Sequence, residues 1–237
     1  MKKSKAQKDA DRRYDTNALY APRDAIDLVK TLAHASFDES VDASFLLGID
    51  ARQADQLVRG TVSLPHGTGK EVRVAVFAES DKAREAEAAG ADIVGGKDLA
   101  DELQGGGALN FDIAIATPDM MPVVGKLGPI LGPRGLMPNP KSGTVTQDIG
   151  NTVEAFKAGR VEYRNDRYGN VHVPIGRVSF TEDQLEQNLA AVSDEISRSR
   201  PPATKGRFMK KLALSSTMGP GVWVDPAQVE DLVKEHR

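Results

Sequence analysis

Residues 71–116, EVRVAVFAESDKAREAEAAGADIVGGKDLADELQGGGALNFDIAIA, decide the fold of this chain. Alternating apolar residues predict a strand at the start, and the two helical stretches that follow end at Gly90 and Gly105. The predicted order is strand 72–76, helix 81–89, strand 92–94, helix 97–104 and strand 113–115. Strands that alternate with helices in this way are typical of a small α/β layer with parallel strands.

The segments on both sides of this stretch have a different character. Turn-forming residues at Pro65–Gly69 predict a domain boundary, and a second is expected where the helix 151–158 ends at Gly159. The elements expected in the flanks are a helix at 24–37, strands at 41–49 and 57–64, a hairpin of 161–165 with 170–178, a helix opened by the capping box Thr181 and Gln184, and strands at 205–217 and 221–224. The simplest architecture is a discontinuous α+β domain from 1–67 and 160–237, with an α/β domain inserted at 68–159.

The composition excludes several classes of protein. The chain has no cysteine, which removes disulfides, thiolate nucleophiles and cysteine-containing zinc sites. No apolar run approaches the roughly 20 residues that a membrane helix needs, and the N-terminus lacks the apolar stretch of a secretory signal. We therefore expect a cytoplasmic protein that is not membrane-bound.

Motifs of the common enzyme classes are missing. Gly67–Glu71 fails the spacing and the last residue of a phosphate-binding loop, and neither a dinucleotide fingerprint nor a nucleophile elbow occurs. The four histidines lie far apart, and none belongs to a helical metal-binding pair. We expect no enzyme, no cofactor and no metal, although the many carboxylates leave an acid/base pair open.

Positive charge is concentrated in two places although the net charge is −3. Residues 68–159 carry nine basic and thirteen acidic residues, while the two flanks together carry a charge of +1. Between Ile196 and Val224 there is no acidic residue, and the six basic residues are Arg198, Arg200, Lys205, Arg207, Lys210 and Lys211. A second cluster, expected to be a flexible arm for phosphate contact, contains Lys2, Lys3, Lys5, Lys8, Arg12 and Arg13. These clusters favour a nucleic-acid partner, although a basic stretch can also simply face water.

One segment carries a specific resemblance. Residues 125–141, GKLGPILGPRGLMPNPK, are similar to the signature segment of the bacterial ribosomal protein L1 family. Further stretches resemble the family in the expected order: LGIDAR at 47–52, VRG at 58–60, LPHGTG at 64–69, YRND at 163–166 and STMGP at 216–220. Together they cover about 24–224.

The resemblance implies a fold, a function and a binding site. It implies a two-layer α+β RNA-binding domain formed by both termini and an inserted three-layer Rossmann-like α/β domain. The implied partners are 23S rRNA in the large ribosomal subunit, exit-site tRNA and the protein's own operon mRNA, whose translation it represses. The predicted RNA-binding residues are Phe37, Glu39, Ser40, Arg164, Asp166, Lys205, Lys210, Ser215, Ser216, Thr217, Met218 and Gly219.

The chemistry of Ser215–Gly219 suits RNA independently of the resemblance. Folded RNA exposes 2′-hydroxyls and phosphates, so a recognising surface needs small hydroxyls, backbone N–H groups and a few cations. A glycine allows the backbone to approach closely. The same residues could also be a strand end followed by an ordinary turn, and Phe37 could be a core residue. A stand-alone RNA regulator and an α/β enzyme acting on a phosphorylated ligand remain as alternative functions.

The Gly/Pro-rich segment 125–140 is expected to lack regular structure. A stiff loop of this composition could set the angle between the domains, with Gly132, Pro133, Arg134 and Gly135 as the interdomain loop. Arg134 could contact RNA or the other domain, and the sequence leaves both open.

Overall fold

The chain divides into two compact units. The computed structural model describes residues 5–235. One unit consists of Met1–Gly69 and Val161–Arg237, and the other of Lys70–Arg160. These limits differ from those expected from the sequence by two residues at the first boundary and one at the second. Within the described residues, no helix is long and apolar enough to cross a membrane.

The elements follow in chain order. The helices are α1 (Lys5–Arg13), α2 (Pro22–Leu32), α3 (Asp81–Ala88), α4 (Lys97–Gln104), α5 (Met121–Val124), α6 (Gly128–Leu131), α7 (Ile149–Lys157), α8 (Glu182–Arg198) and α9 (Pro226–Glu235). The strands are β1 (Ser40–Leu47), β2 (Arg59–Ser63), β3 (Val74–Phe77), β4 (Ile93–Gly95), β5 (Ile113–Ala116), β6 (Arg160–Arg164), β7 (Asn170–Arg177), β8 (Met209–Ser216) and β9 (Gly221–Val224).

The first unit is an antiparallel sheet covered by helices on one face. Its strand order is β7-β1-β8-β9. Val41, Ala43, Phe45 and Leu47 of β1 are buried, and the residues between them are only partly buried. The buried side chains form a core with apolar residues of α2, α8 and α9. Since side chains alternate along a strand, the opposite face of the sheet is left open.

The predicted hairpin of 161–165 with 170–178 is wrong. Strand β7 pairs with β1, whereas β6 pairs with β2 in a separate two-stranded sheet. The buried side chain of Asn165 accepts a hydrogen bond from the N–H of Val58, and Arg59 pairs with Glu162 at 2.6 Å. These long-range contacts fix β6 against β2, and Asn165, the residue after β6, forms an isolated bridge with Val171 of β7.

The second unit has three layers. Its parallel sheet has the order β4-β3-β5. On one face, Phe77 packs in a core with Leu103 of α4 and Leu131 of α6. On the other, Val76 packs with Ala86 of α3 and Phe156 of α7. The predicted fold class, an α+β unit with an inserted α/β unit, is confirmed.

The Gly/Pro-rich segment is more regular than the sequence suggested. Helix α5 precedes it, and a 3₁₀ turn at Gly125–Leu127 and helix α6 lie within it. Pro129 occupies the first turn of α6, where a missing N–H costs no helical hydrogen bond. Leu127 and Leu131 are buried and anchor the turns in the core. The expectation of irregular structure throughout was therefore wrong.

Both ends of the described chain are helical, and neither helix was predicted from the sequence. Residues 5–13, expected to be a flexible arm, form α1, while Lys2 and Lys3 of the same basic cluster lie outside the described residues. Helix α9 buries Val229, Leu232 and Val233. Their helical spacing after Pro226 was the signal that could have found it. The capping box of Thr181 and Gln184 at the start of α8 is confirmed.

Replacing Phe45 should test the one-sided core. Phe45→Ala removes a fully buried ring and should lower the free energy of unfolding of the first unit by about 3–5 kcal/mol. The measurement is urea denaturation followed by the fluorescence of Trp223, the only tryptophan. Leu46→Ala is the matched control, because Leu46 is on the open face and should cost about 1 kcal/mol or less. Equal losses would contradict the one-sided core.

Candidate nucleic-acid interface

The predicted RNA-binding residues fall into two groups at opposite ends of the first unit's sheet. Ser40, at the start of β1, is beside the end of β8, where Val41 pairs with Ser216. At the other end of β1, Leu46 pairs with Asn170 and Lys211. Ser40 and Leu46 are six residues apart along β1, which separates these ends by roughly 20 Å at about 3.3 Å per residue. One group contains Phe37, Glu39, Ser40 and Ser215–Gly219, and the other contains Arg164, Asp166, Lys205 and Lys210.

Glu39 organises the first group. Its side chain is 1% exposed. Its Oε1 atom accepts hydrogen bonds from the N–H groups of His34 at 3.0 Å and Ala35 at 2.8 Å. Its Oε2 atom accepts one from the N–H of Met218 at 2.8 Å. One carboxylate therefore holds together the loop before β1 and the turn after β8.

The electrostatics of Glu39 follow from these contacts. Burial by itself would raise the pKa of Glu39, because it disfavours the charged form. Hydrogen bonds from Met218, Ala35, Ser216 and His34 together outweigh burial and lower the pKa to about 2. The carboxylate is thus ionised at neutral pH and fixed by its donors.

The turn that follows β8 is tied to β1 through Thr217. The N–H of Thr217 donates to the carbonyl of Ser40 at 3.1 Å, and its Oγ1 accepts from the N–H of Ser40 at 3.0 Å. Ser216 is buried, and its Oγ accepts from the N–H of Gly219 at 3.1 Å. A Cβ at Gly219 would lie 2.4 Å from that oxygen, so a side chain there would displace the Ser216 hydroxyl.

Two large apolar side chains project from this framework. Phe37 is 55% exposed and Met218 is 59% exposed. Phe37 lies in the loop whose backbone is bonded to Glu39, and the N–H of Met218 is bonded to the same carboxylate. Phe37 is thus a surface residue, and the core role considered for it is excluded.

Glu39 and Ser216 were predicted to contact RNA, and their burial gives them another role. With 1% and 4% of their surfaces exposed, they have almost no area to offer a ligand. Their oxygens are occupied by His34, Ala35, Met218 and Gly219. They hold the backbone beside the exposed side chains in place, and their contact with RNA stays a prediction.

The second group combines exposed cations with another positioning carboxylate. Arg164, Lys205 and Lys210 are exposed. Lys205 and Lys210 line a shallow depression of about 490 Å³ with Gly48 and Asp50.

The carboxylate of Asp166 is hydrogen-bonded within the turn before β7. Its carboxylate accepts hydrogen bonds from the N–H groups of Tyr168 and Asn170 and from the side chain of Asn170. Burial opposes the charged form, but these bonds lower the pKa of Asp166 below its ordinary value. Its oxygens shape the turn before β7, so we assign it a positioning role too.

The open face of the sheet lies between the two groups and was not among the sites predicted from the sequence. Asp42 and Ser44 of β1 are on this face, and Ser44 Oγ is 2.9 Å from His172 Nδ1. Burial raises the pKa of Asp42, while the nearby His172 acts in the opposite direction. The alternation of polar residues with Val41, Ala43 and Phe45 was the signal that could have found this face.

The loop Gly132–Gly135 lies in the second unit directly after α6. All four residues are exposed, and Gly135 has a φ of +73°, a conformation that favours glycine. Its role as an interdomain loop stays a prediction, as does a role for Arg134.

Comparison with known proteins identifies the family of this two-unit protein. Residues 29–220 match the Ribosomal protein L1p/L10e family. The chain belongs to this family, which confirms the resemblance carried by residues 125–141.

Curated relatives match along almost the whole chain. The large ribosomal subunit protein uL1 of Rubrobacter xylanophilus is 58% identical over 91% of this chain and 94% of its own length. Proteins of the same name from Streptomyces virginiae and Thermosipho africanus are each 53% identical, over 99% and 95% of this chain and 98% and 97% of their own lengths.

Replacing Glu39 should expose its positioning role as a pH-dependent loss of stability. Because the folded-state pKa of about 2 is below the ordinary 4.5, the carboxylate stabilises the fold above pH 4.5 and loses this effect as pH falls toward 2. Glu39→Gln should therefore lower the free energy of unfolding by about 2–3 kcal/mol at pH 7 and by clearly less at pH 3. Urea denaturation at both pH values measures this. An equal loss at the two pH values would show that the charge is unimportant.

Proposed function

We propose that this chain is a structural protein of the large ribosomal subunit and that it binds 23S rRNA directly through the unit formed by both termini. The proposal is supported by relatives named large ribosomal subunit protein uL1, which align with nearly the whole chain. The observation that carries it is the framework around Glu39, which presents Phe37, Thr217 and Met218 at the surface. On this proposal the chain is not an enzyme.

The first group has the chemistry that folded RNA requires. Thr217 is exposed, so its side chain and nearby backbone groups can reach 2′-hydroxyls and phosphates, and Gly219 has no side chain to obstruct their approach. Phe37 can stack on a base or sugar, with Met218 as an adaptable apolar neighbour. Because Glu39 already fixes both backbone segments, binding would order few additional residues.

The second group contributes positive charge for phosphates rather than a surface that fits one particular RNA shape. Arg164, Lys205 and Lys210 are exposed cations suited to phosphate contacts, which contribute affinity with little sequence preference. An RNA that touches both groups would lie along β1 over the open face. The insert carries a net charge of −4 over 68–159, so the flanks are the better RNA-binding part.

We further propose the roles that the family resemblance implies. The chain would form the mobile stalk at the tRNA exit site, assist the release of deacylated tRNA and repress translation of its own operon mRNA. It would work in the cytoplasm, bound to ribosomes. The alternative of a stand-alone RNA regulator differs from this proposal in predicting no stable association with ribosomal subunits.

Sedimentation should test the ribosomal role. The full chain, and a variant in which 1–69 are joined to 161–237 by a short Gly/Ser linker, should both sediment with large ribosomal subunits lacking this protein. The joined variant should keep most of the affinity for 23S rRNA, because both residue groups lie outside the insert. The isolated insert is the control. If the insert binds rRNA more tightly than the joined flanks, the division of labour is wrong.

Two substitutions should separate recognition from charge neutralisation. Thr217→Val should weaken binding to the specific rRNA fragment by about 1–3 kcal/mol, because the hydroxyl that bonds RNA and Ser40 is lost. Thr217→Ser keeps the hydroxyl and is the matched control. Lys210→Ala should instead weaken specific and unrelated RNA alike and reduce the slope of log affinity against log salt by roughly 0.7. Calorimetric titration over a salt series measures both.

The outcome for unrelated RNA decides the role of the turn. Thr217→Val should leave binding to an unrelated hairpin nearly unchanged at every salt concentration. If both RNAs lose affinity equally, Thr217–Gly219 is a structural turn and not a recognition element.

A further inference from the structure

Trp223 occupies an unusual position for the only tryptophan of the chain. It is on β9, at the edge of the first unit's sheet, between the buried Val222 and Val224. Its side chain therefore points to the open face and is 38% exposed. Because Trp223 is partly exposed, packing in the core does not explain why so large an apolar side chain occupies this position.

The register places Trp223 next to the proposed RNA surface. Trp223 pairs with Ala213 of β8, and Ala213 pairs with Ser44 of β1. Two residues further along the strands, Gly221 pairs with Ser215, which pairs with Asp42. Residues 217–220 connect β8 to β9, and Trp223 follows Gly219 by four residues in the chain.

The ammonium group of Lys211 lies close to the Trp223 ring. The Nζ atom of Lys211 is 5.4 Å from the centre of the Trp223 ring. The facing positions on β8 and β1 are Ala213 and Ser44, whose small side chains leave room above the sheet. An accessible aromatic ring with a cation beside it is the combination that proteins use to stack an unpaired base and neutralise its phosphate.

We propose that Trp223 is a stacking platform for an unpaired base of the bound RNA, with Lys211 contacting the adjacent phosphate. The inference rests on the proposed function and extends the interface from the Thr217–Gly219 turn onto β9. The long side chain of Lys211 can exchange the ring for a phosphate without any movement of the backbone.

Because the chain contains one tryptophan, its emission reports on this position alone. The full chain is titrated with the 23S rRNA fragment that it protects from ribonuclease. Emission should be quenched as the RNA saturates the protein, and acrylamide should then reach the indole less readily. Unchanged emission and unchanged acrylamide quenching at saturation would overturn the proposal.

Substitutions give a second readout. Trp223→Leu should weaken binding of this fragment roughly tenfold, since stacking on one aromatic side chain is typically worth that much or more. Trp223→Phe keeps a ring and should stay within about threefold of the unmodified chain. Far-ultraviolet circular dichroism and the melting temperature confirm that both variants fold. Unchanged affinity of Trp223→Leu would mean that the indole only shields the stem of Lys211, and the inference would be wrong.

The two proposals fail in different ways. If no 23S rRNA fragment is protected, the proposed function fails. If a fragment is protected, and Thr217→Val weakens binding of that fragment while Trp223→Leu does not, the proposed RNA binding is supported. Only the proposal that Trp223 stacks on a base is then wrong.

Discussion

The buried carboxylate of Glu39 is the interaction on which the candidate site depends. An isolated charge in such a place would be very costly, so the fold has to supply donors for both oxygens. It does so with backbone N–H groups of His34, Ala35 and Met218 and with the hydroxyl of Ser216. Because these donors come from segments about 180 residues apart, satisfying one charge brings the two ends of the chain to one surface.

A second constraint is the one-sided covering of the sheet. Helices α2, α8 and α9 bury one face, and the alternation along β1 leaves Asp42 and Ser44 on the other. His172, Ala213 and Trp223 lie on that face too, because they are in register with Ser44 across the neighbouring strands. A surface for a large partner therefore arises from packing the core on one side only.

Local patterns in the sequence determined much of the fold. Apolar alternation in 72–76 and 41–47, the capping box at Thr181 and the strand at 221–224 all predicted elements that the structure contains. The βα alternation of 71–116 predicted the parallel sheet, and the structure adds that helices pack on both of its faces. Such features depend on neighbours within a few residues, so one sequence is enough to reveal them. The segment at 125–141 also indicated the family, which the match over residues 29–220 confirms.

Only the tertiary structure decided which strands pair and which polar side chains are buried. Strand β6 joined β2 because Asn165 and Glu162 find partners at Val58 and Arg59, over one hundred positions away. The same long-range packing buried Glu39 and Ser216, left Phe37 exposed and separated Arg164 from Thr217 by the length of β1. A sequence lists the groups that could contact RNA, but whether each faces solvent or supports a neighbour depends on contacts between segments far apart in the chain.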